Sequence, residues 1–296
     1  MRLRRIKDNL AGKSMLLAVA FANSLVLVIA LGLFVKSWPI LAKESILNLL
    51  FSSSWAPLKG QFGFFPFIVG TLEVTAIAMV LAVPVCLLSA IYLSEYAHRH
   101  FRELVRLVVD IMAGIPSVIY GLWGIVVIVP FVRFVGQAFG HPTTGYSLLA
   151  GGIILAMMVS PIIISVSIEV FRAVPAQARE TALALGTTRW EAVKYVILRS
   201  SRHGLLSAIT LGFTRAFGET IAVLMIVGNV PRVPASIFDP AYPLPALLAN
   251  NYGEMMSIPL YDSALLLSAL ILLLVVSGFN LGAHFALLRT ERGMDR

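Results

Sequence analysis

The chain has 296 residues, of which 58% are hydrophobic and only 13% charged, and its mean hydropathy is +0.89. Soluble domains carry about 25% charged residues, so this composition excludes an ordinary water-soluble domain and fits a chain solvated mainly by lipid. The formal net charge of +8 does not imply nucleic acid. The basic residues fall between apolar runs and build no basic face with interleaved aromatics, and they read as a topology signal with contacts to anionic lipid heads.

Six stretches are long and apolar enough to cross a bilayer: approximately 14–36, 67–95, 105–133, 147–170, 205–228 and 262–288. A span needs roughly 20 mainly apolar residues. Backbone groups in lipid must satisfy one another, and these runs do not alternate like barrel strands, so helices are expected. The first stretch begins at Met15, after "MRLRRIKDNLAGKS". It exceeds the roughly 7–15 apolar residues of a secretion signal and is followed by no small-x-small cleavage site, so it is expected to be retained. Gly12-Lys13-Ser14 has a superficial likeness to a phosphate loop. The glycine required five residues earlier is replaced by Lys7, so no Walker A loop is present here.

Cations mark the sides. Arg2, Arg4, Arg5, Lys7 and Lys13 precede the first span, and Arg99, Arg102 and Arg106 follow the second. Arg172, Arg179, Arg189, Lys194, Arg199 and Arg202 follow the fourth, and Arg289, Arg292 and Arg296 follow the last. The alternate connections are poor in cations, which places both termini in the cytoplasm. The expected organisation is one all-α polytopic membrane domain over 1–296. It has a cytoplasmic tail at 1–13, a cytoplasmic loop at 171–204 and an extracytoplasmic loop at 229–261.

Prolines 84, 116, 130 and 161 lie inside the spans and invite kinks. "AGIPSVIYGLWG", with glycines around Pro116, suits either a broken helix or close helix packing. The one cysteine, Cys86, sits in an apolar run without ligand partners and reads as a small buried residue. No HExxH or clustered cysteines occur, so neither a metal site nor a cofactor is expected. "LPALLANNYGEMM", at the end of a proline-rich segment, suits a short helix on or dipping into the membrane, or an ordered loop.

The connection Glu169–Gly204, "EVFRAVPAQARETALALGTTRWEAVKYVILRSSRHG", is too polar to span. It is helix-prone on both sides of Gly186. Ala182, Leu183, Leu185, Trp190, Val193 and Val196 are apolar groups that water alone does not favour exposing. Helix, glycine turn and helix make either a docking knob for a partner or a pair lying on lipid heads.

"ETALALGTTRWEAVKYVIL" resembles the EAA loop of bacterial ABC importer permeases. Glu180, Ala182, Gly186, Ile197 and Leu198 stand at the pattern's positions, while Thr181 replaces an alanine and Arg199 and Ser200 stand where a proline is usual. The resemblance implies that Glu180, Ala182 and Gly186, with Trp190, form the contact to a separate ATPase subunit. "FGFFPFIVGTL", "VPVCLLSAIYLSEYA", "AGIPSVIYGLWG" and "TRAFGETIAVLMIVGN" together are similar to the phosphate-specific ABC importer permeases, nearer the PstC type than its PstA partner. That family implies a bacterial plasma-membrane heterodimer of two permeases. It also implies an ATPase dimer beneath, a phosphate-binding protein outside, and alternating access by a chain that does no covalent chemistry.

The fifth stretch carries Arg215 and Glu219. An unbroken helix would place them on one face, since they are four residues apart. A central arginine costs about 2.5–3.5 kcal/mol on insertion scales, so neither charge is expected to face lipid. They either neutralise each other, or Arg215 meets an anion in a pathway while Glu219 tempers it. An arginine suits phosphate through its planar fork of donors. Glu73 is a weaker pathway candidate. The alternatives are a permease for sulfate, molybdate or phosphonate, an ion-coupled carrier, and a membrane-embedded enzyme. A carrier needs no ATPase socket, and no catalytic constellation is visible.

Overall fold

Lipid offers backbone groups no hydrogen-bond partner, and the apolar stretches satisfy themselves as helices. The computed structural model describes residues 2–254 and 258–292. Its order is α1 (Arg2–Leu41), α2 (Ile46–Phe51), a hairpin of β1 (Trp55–Ala56) and β2 (Gln61–Phe62), and α3 (Phe65–Ile91), which runs on as a π-helical turn to Tyr96. α4 (Arg99–Gly114), α5 (Ser117–Trp123) and α6 (Val129–Ala138) follow, the last two joined by a π-helical turn. α7 (Leu148–Ala173) leads to the short α8 (Ala176–Ala184) and α9 (Arg189–Ala192). A further π-helical turn feeds α10 (Leu198–Gly218), then α11 (Ile221–Ile226), α12 (Leu244–Asn251) and α13 (Tyr261–Arg292). Arg296, one of the last basic group, lies outside the described residues, as do Met255 and Met256 of the "LPALLANNYGEMM" segment. The residues expected as a separate tail at 1–13 belong to α1 from Arg2 onward.

Among the described residues, five helical stretches are long and apolar enough to cross a membrane: Leu10–Leu41, Phe65–Tyr96, Ser117–Ala138, Leu148–Ala173 and Tyr261–Ala283. Two of the six expected spans need correction. The third does not begin at 105. α4 stops at Gly114, Ile115 turns extended, and Pro116 caps α5, because a proline disfavours helical backbone in the residue before it. The Tyr120 hydroxyl bridges the break, donating to the Met112 carbonyl at 2.9 Å. α4 is amphipathic, with Phe101, Leu104, Val108 and Ile111 exposed along one side. The fifth expected span, 205–228, is not one helix either. α10 ends at Gly218, Glu219 is extended (φ −72°, ψ 128°), and a separate short α11 follows.

α7 forms the centre, packed on α3 and α10. Val74, Ala78 and Cys86 of α3 meet Leu155, Val159 and Ile163 of α7, all buried. Cys86 donates weakly to the Ser160 carbonyl at 3.8 Å, as a small core residue does. Within lipid, burial of apolar surface drives little, and close packing carries helix association. Gly212 is what permits it on α10, since a Cβ there would lie 2.6 Å from Ile163 Cγ1.

One end is capped by aromatics: Trp55 packs against Phe62, Phe64, Phe67 and Tyr261. α12 inserts beside them, with Leu244, Ala246 and Leu247 buried, and its Leu244 N–H donates to Thr71 Oγ1 at 2.8 Å. This segment is therefore a helix folded into the bundle.

Candidate functional site

Two places collect the residues singled out in the sequence. The first is the break between α10 and α11. Ile162 of α7, Leu211, Thr214, Arg215 and Gly218 of α10, and Glu219 line a cleft of about 480 Å³. The helix breaks because Glu219 leaves helical geometry, so the shared helical face expected for Arg215 and Glu219 does not exist. The cleft brings them together instead. No ion pair joins them among the described residues, and Arg215 stays exposed on this chain. Extended backbone at the depth of an apolar segment is tolerated only where it is buried in protein or lines a water-filled cavity. Glu219, the residue with extended backbone, lines the cleft.

Two contacts beside the cleft were not anticipated. Thr214 Oγ1 donates to Asn280 Oδ1 of α13 at 2.7 Å, and their preceding neighbours Phe213 and Phe279 stack on each other. The last span is thereby held against the arginine-bearing end of α10. The available signal was an asparagine inside the apolar run that became α13. Glu73 lies in a different cleft, of about 260 Å³, between α3, Leu148 and the Pro234–Ile237 loop. Its Oε2 is buried with no hydrogen-bond partner.

The second place is the knob formed by α8 and α9. Gly186 turns the chain with φ +85°, a left-handed conformation costly to residues with a Cβ. Thr188 then starts α9 with a capping box: its Oγ1 accepts from the Glu191 N–H at 3.3 Å, and Glu191 Oε2 accepts from the Thr188 N–H at 2.7 Å. The Thr188 N–H and the Thr188 hydroxyl, which donates to the same Oε2 at 2.8 Å, together hold the Glu191 carboxyl below its usual range. Glu180, Gly186 and Trp190 are exposed. Leu185 is 80% and Trp190 50% exposed, with Leu183 and Tyr195 also outward. Ala182 departs from the expected contact set. It is 6% exposed and faces inward, where its carbonyl accepts from Thr187 Oγ1 at 2.7 Å.

The sequence model of the family described as "binding-protein-dependent transport system inner membrane component" matches residues 82–294. The chain belongs to this family. The matched region holds both the knob and the cleft of this permease. It is a multi-pass inner-membrane protein and the transport component of its system, with an ATPase and a binding protein as partners in general terms. The permease is 37% identical over 260 residues to "Phosphate transport system permease protein PstC" of Xylella fastidiosa, covering 83% of this chain and 80% of that protein. It is 31% identical over 288 residues to "Probable phosphate transport system permease protein PstC" of Methanocaldococcus jannaschii, covering 90% and 91%. Its fold is similar to the MetNI methionine ABC transporter in an inward-facing conformation. The TM-score is 0.58 at 19% identity, covering 74% of this chain and 92% of that one. That likeness shows the ABC permease bundle and nothing of the cargo.

Proposed function

We propose that this permease forms, with a second permease subunit, the pathway of an ATP-driven importer of inorganic phosphate. The observation that carries this reading is the interrupted span. An arginine and a carboxylate flank irregular backbone on one open cleft, without pairing to each other. Arg215 offers a permanently charged fork to a phosphate oxygen pair, and Glu219 limits how long the anion stays. The names of the relatives support phosphate as cargo.

In this reading the cation-rich connections face the cytoplasm, with both termini on that side. The knob seats on one subunit of an ATPase dimer, making contact through Glu180, Gly186, Leu185 and Trp190. A phosphate-binding protein delivers from the opposite face, and membrane lipids cover the outer helices. ATP binding and hydrolysis then switch the cleft's exposure from one side to the other. This chain itself performs no bond-making step.

The test is uptake of labelled phosphate by vesicles holding the full complex, with competitors. Displacement by unlabelled phosphate, with no displacement by equal sulfate, molybdate or phosphonate, is expected. Equal displacement by one of those oxyanions would move the assignment to that cargo.

A further inference from the structure

One guanidinium ties α8 of the knob to the ends of two bundle helices. Arg179 of α8 reaches Glu95 Oε1 at 3.1 Å, 84 positions away in the chain. Its Nη1 donates to the Val174 carbonyl at 2.9 Å, and its Nη2 also donates to the Phe171 carbonyl. Glu95 lies in the π-helical turn that ends α3. Phe171 is in the last turn of α7, and Val174 caps that helix. The final carbonyls of a helix have no partner within it and carry partial negative charge. One side chain from α8 therefore ties down two carbonyls at the end of α7 and a carboxylate at the end of α3.

The joint is sheltered, with the Arg179 and Glu95 side chains 24% and 14% exposed. Ser94 Oγ donates to the same Glu95 oxygen at 3.2 Å. From α4, Arg102 Nη2 donates to the Ser94 and Ala97 carbonyls, each at 3.2 Å, closing the other side of the α3 terminus. Beneath lie Ile91, Phe171, Val174, Val193 and Ile197, all buried. α8 otherwise packs chiefly on α9 and the turn behind it.

We propose that Arg179 is the positioning residue that transmits movement of the knob to α3 and α7. The inference rests on the ATPase-docking reading of α8 and α9. The two helices it grips matter for the pathway: α7 supplies Ile162 to the Arg215 cleft, and α3 carries Glu73. A surface that only docked the ATPase would need no such grip. The outward residues Glu180, Leu185 and Trp190 take the load, and Arg179 passes it on.

The experiment uses the complete importer in proteoliposomes, with phosphate-loaded binding protein. It reads three quantities: ATPase retained on the purified permeases, ATP hydrolysis with and without the binding protein, and phosphate moved per ATP. In Arg179→Gln the ATPase is retained at wild-type stoichiometry, while stimulation and phosphate moved per ATP fall about 10-fold. Arg179→Lys recovers part of the loss, because an ammonium lacks the fork that spans three acceptors. Glu95→Gln leaves both carbonyl contacts and loses about 3-fold. An unchanged phosphate-to-ATP ratio in Arg179→Gln overturns the proposal. So does loss of the ATPase from that variant, which would make Arg179 part of the docking surface. If Arg179→Gln does not insert, wild-type ratios in both Arg179→Lys and Glu95→Gln overturn it. Trp190→Asp separates the two readings. If it keeps the ATPase, the docking reading fails. If it sheds the ATPase while Arg179→Gln remains coupled, only the present inference fails.

Discussion

The knob and the α10–α11 break are both short interruptions of helix, and they leave different side chains outward. At the knob every local device closes: Gly186 supplies the left-handed turn, Thr187 bonds the Ala182 carbonyl, and Thr188 and Glu191 cap each other. What it leaves outward is side chain, chiefly Leu185 and Trp190. At the break, the Thr220 hydroxyl donates to the Gly218 carbonyl at 3.3 Å and the Glu219 N–H to the Ala216 carbonyl at 3.3 Å, but Arg215 and Glu219 line the cleft with no ion pair to either among the described residues. In the proposed reading, a closed turn with apolar tips offers a rigid surface to the ATPase, whereas an exposed arginine beside a helix break offers donors to a passing anion.

The largest effect expected of this contrast is on the break. Arg215→Gln should lower phosphate uptake about 100-fold, since losing a charged hydrogen bond is worth up to about 3 kcal/mol. The ATPase should stay bound in purified complexes. Near-normal uptake would make Arg215 a structural residue and erase the distinction between the two regions.

Gly186→Val acts on the knob alone. Valine at φ +85° costs about 1–2 kcal/mol, and the reoriented tips should weaken ATPase retention about 10-fold while the permease still inserts. Co-purification measures it, and full retention would show that the turn's shape is immaterial to docking.

Gly212→Leu tests the packing that supports the cleft rather than the cleft itself. A side chain there meets Ile163, and overpacking of about 1–3 kcal/mol should lower the thermal midpoint of the detergent-solubilised protein. An unchanged midpoint would mean α10 and α7 separate without cost.

The smallest effect concerns the capping box. The Glu191 carboxyl is held below its usual range by the two bonds from Thr188. A lowered folded-state pKa gives stability that is present above the unfolded value and lost as pH falls through the folded one. Amide exchange at Thr188, corrected for intrinsic rate, should therefore speed up on acidification below the usual carboxylate range. Glu191→Gln should remove that pH dependence, and its persistence in the variant would assign it to another group.

The sequence alone made the knob readable. Gly186 between two helix-prone arms announced a turn, and its apolar tips left open a docking knob or a pair lying on lipid heads. Ala182 stands at a motif position yet is buried in this chain, because a motif position says nothing about which way a side chain faces. The third and fifth spans were drawn too long for a common reason. Apolarity averaged over 20 residues runs unbroken through Ile115-Pro116 and through Gly218-Glu219, whereas a helix breaks at single residues. Pro116 was a visible warning, and the break at Glu219 had only Gly218 to announce it. The Arg179–Glu95 joint and the Thr214–Asn280 contact join residues 84 and 66 positions apart. They exist only after folding brings the elements together.

In the proposed importer the α10–α11 break lines a water-filled pathway. The chain's one cysteine, Cys86, is fully buried, so a second thiol can be followed alone. Thiol reagents act on the thiolate, which needs water. In the assembled importer, Thr214→Cys and Glu219→Cys should react with a small charged thiol reagent, while Leu281→Cys, on the exposed apolar surface of α13, should not. Failure of both cleft positions to react, in a complex that still assembles, would contradict the account.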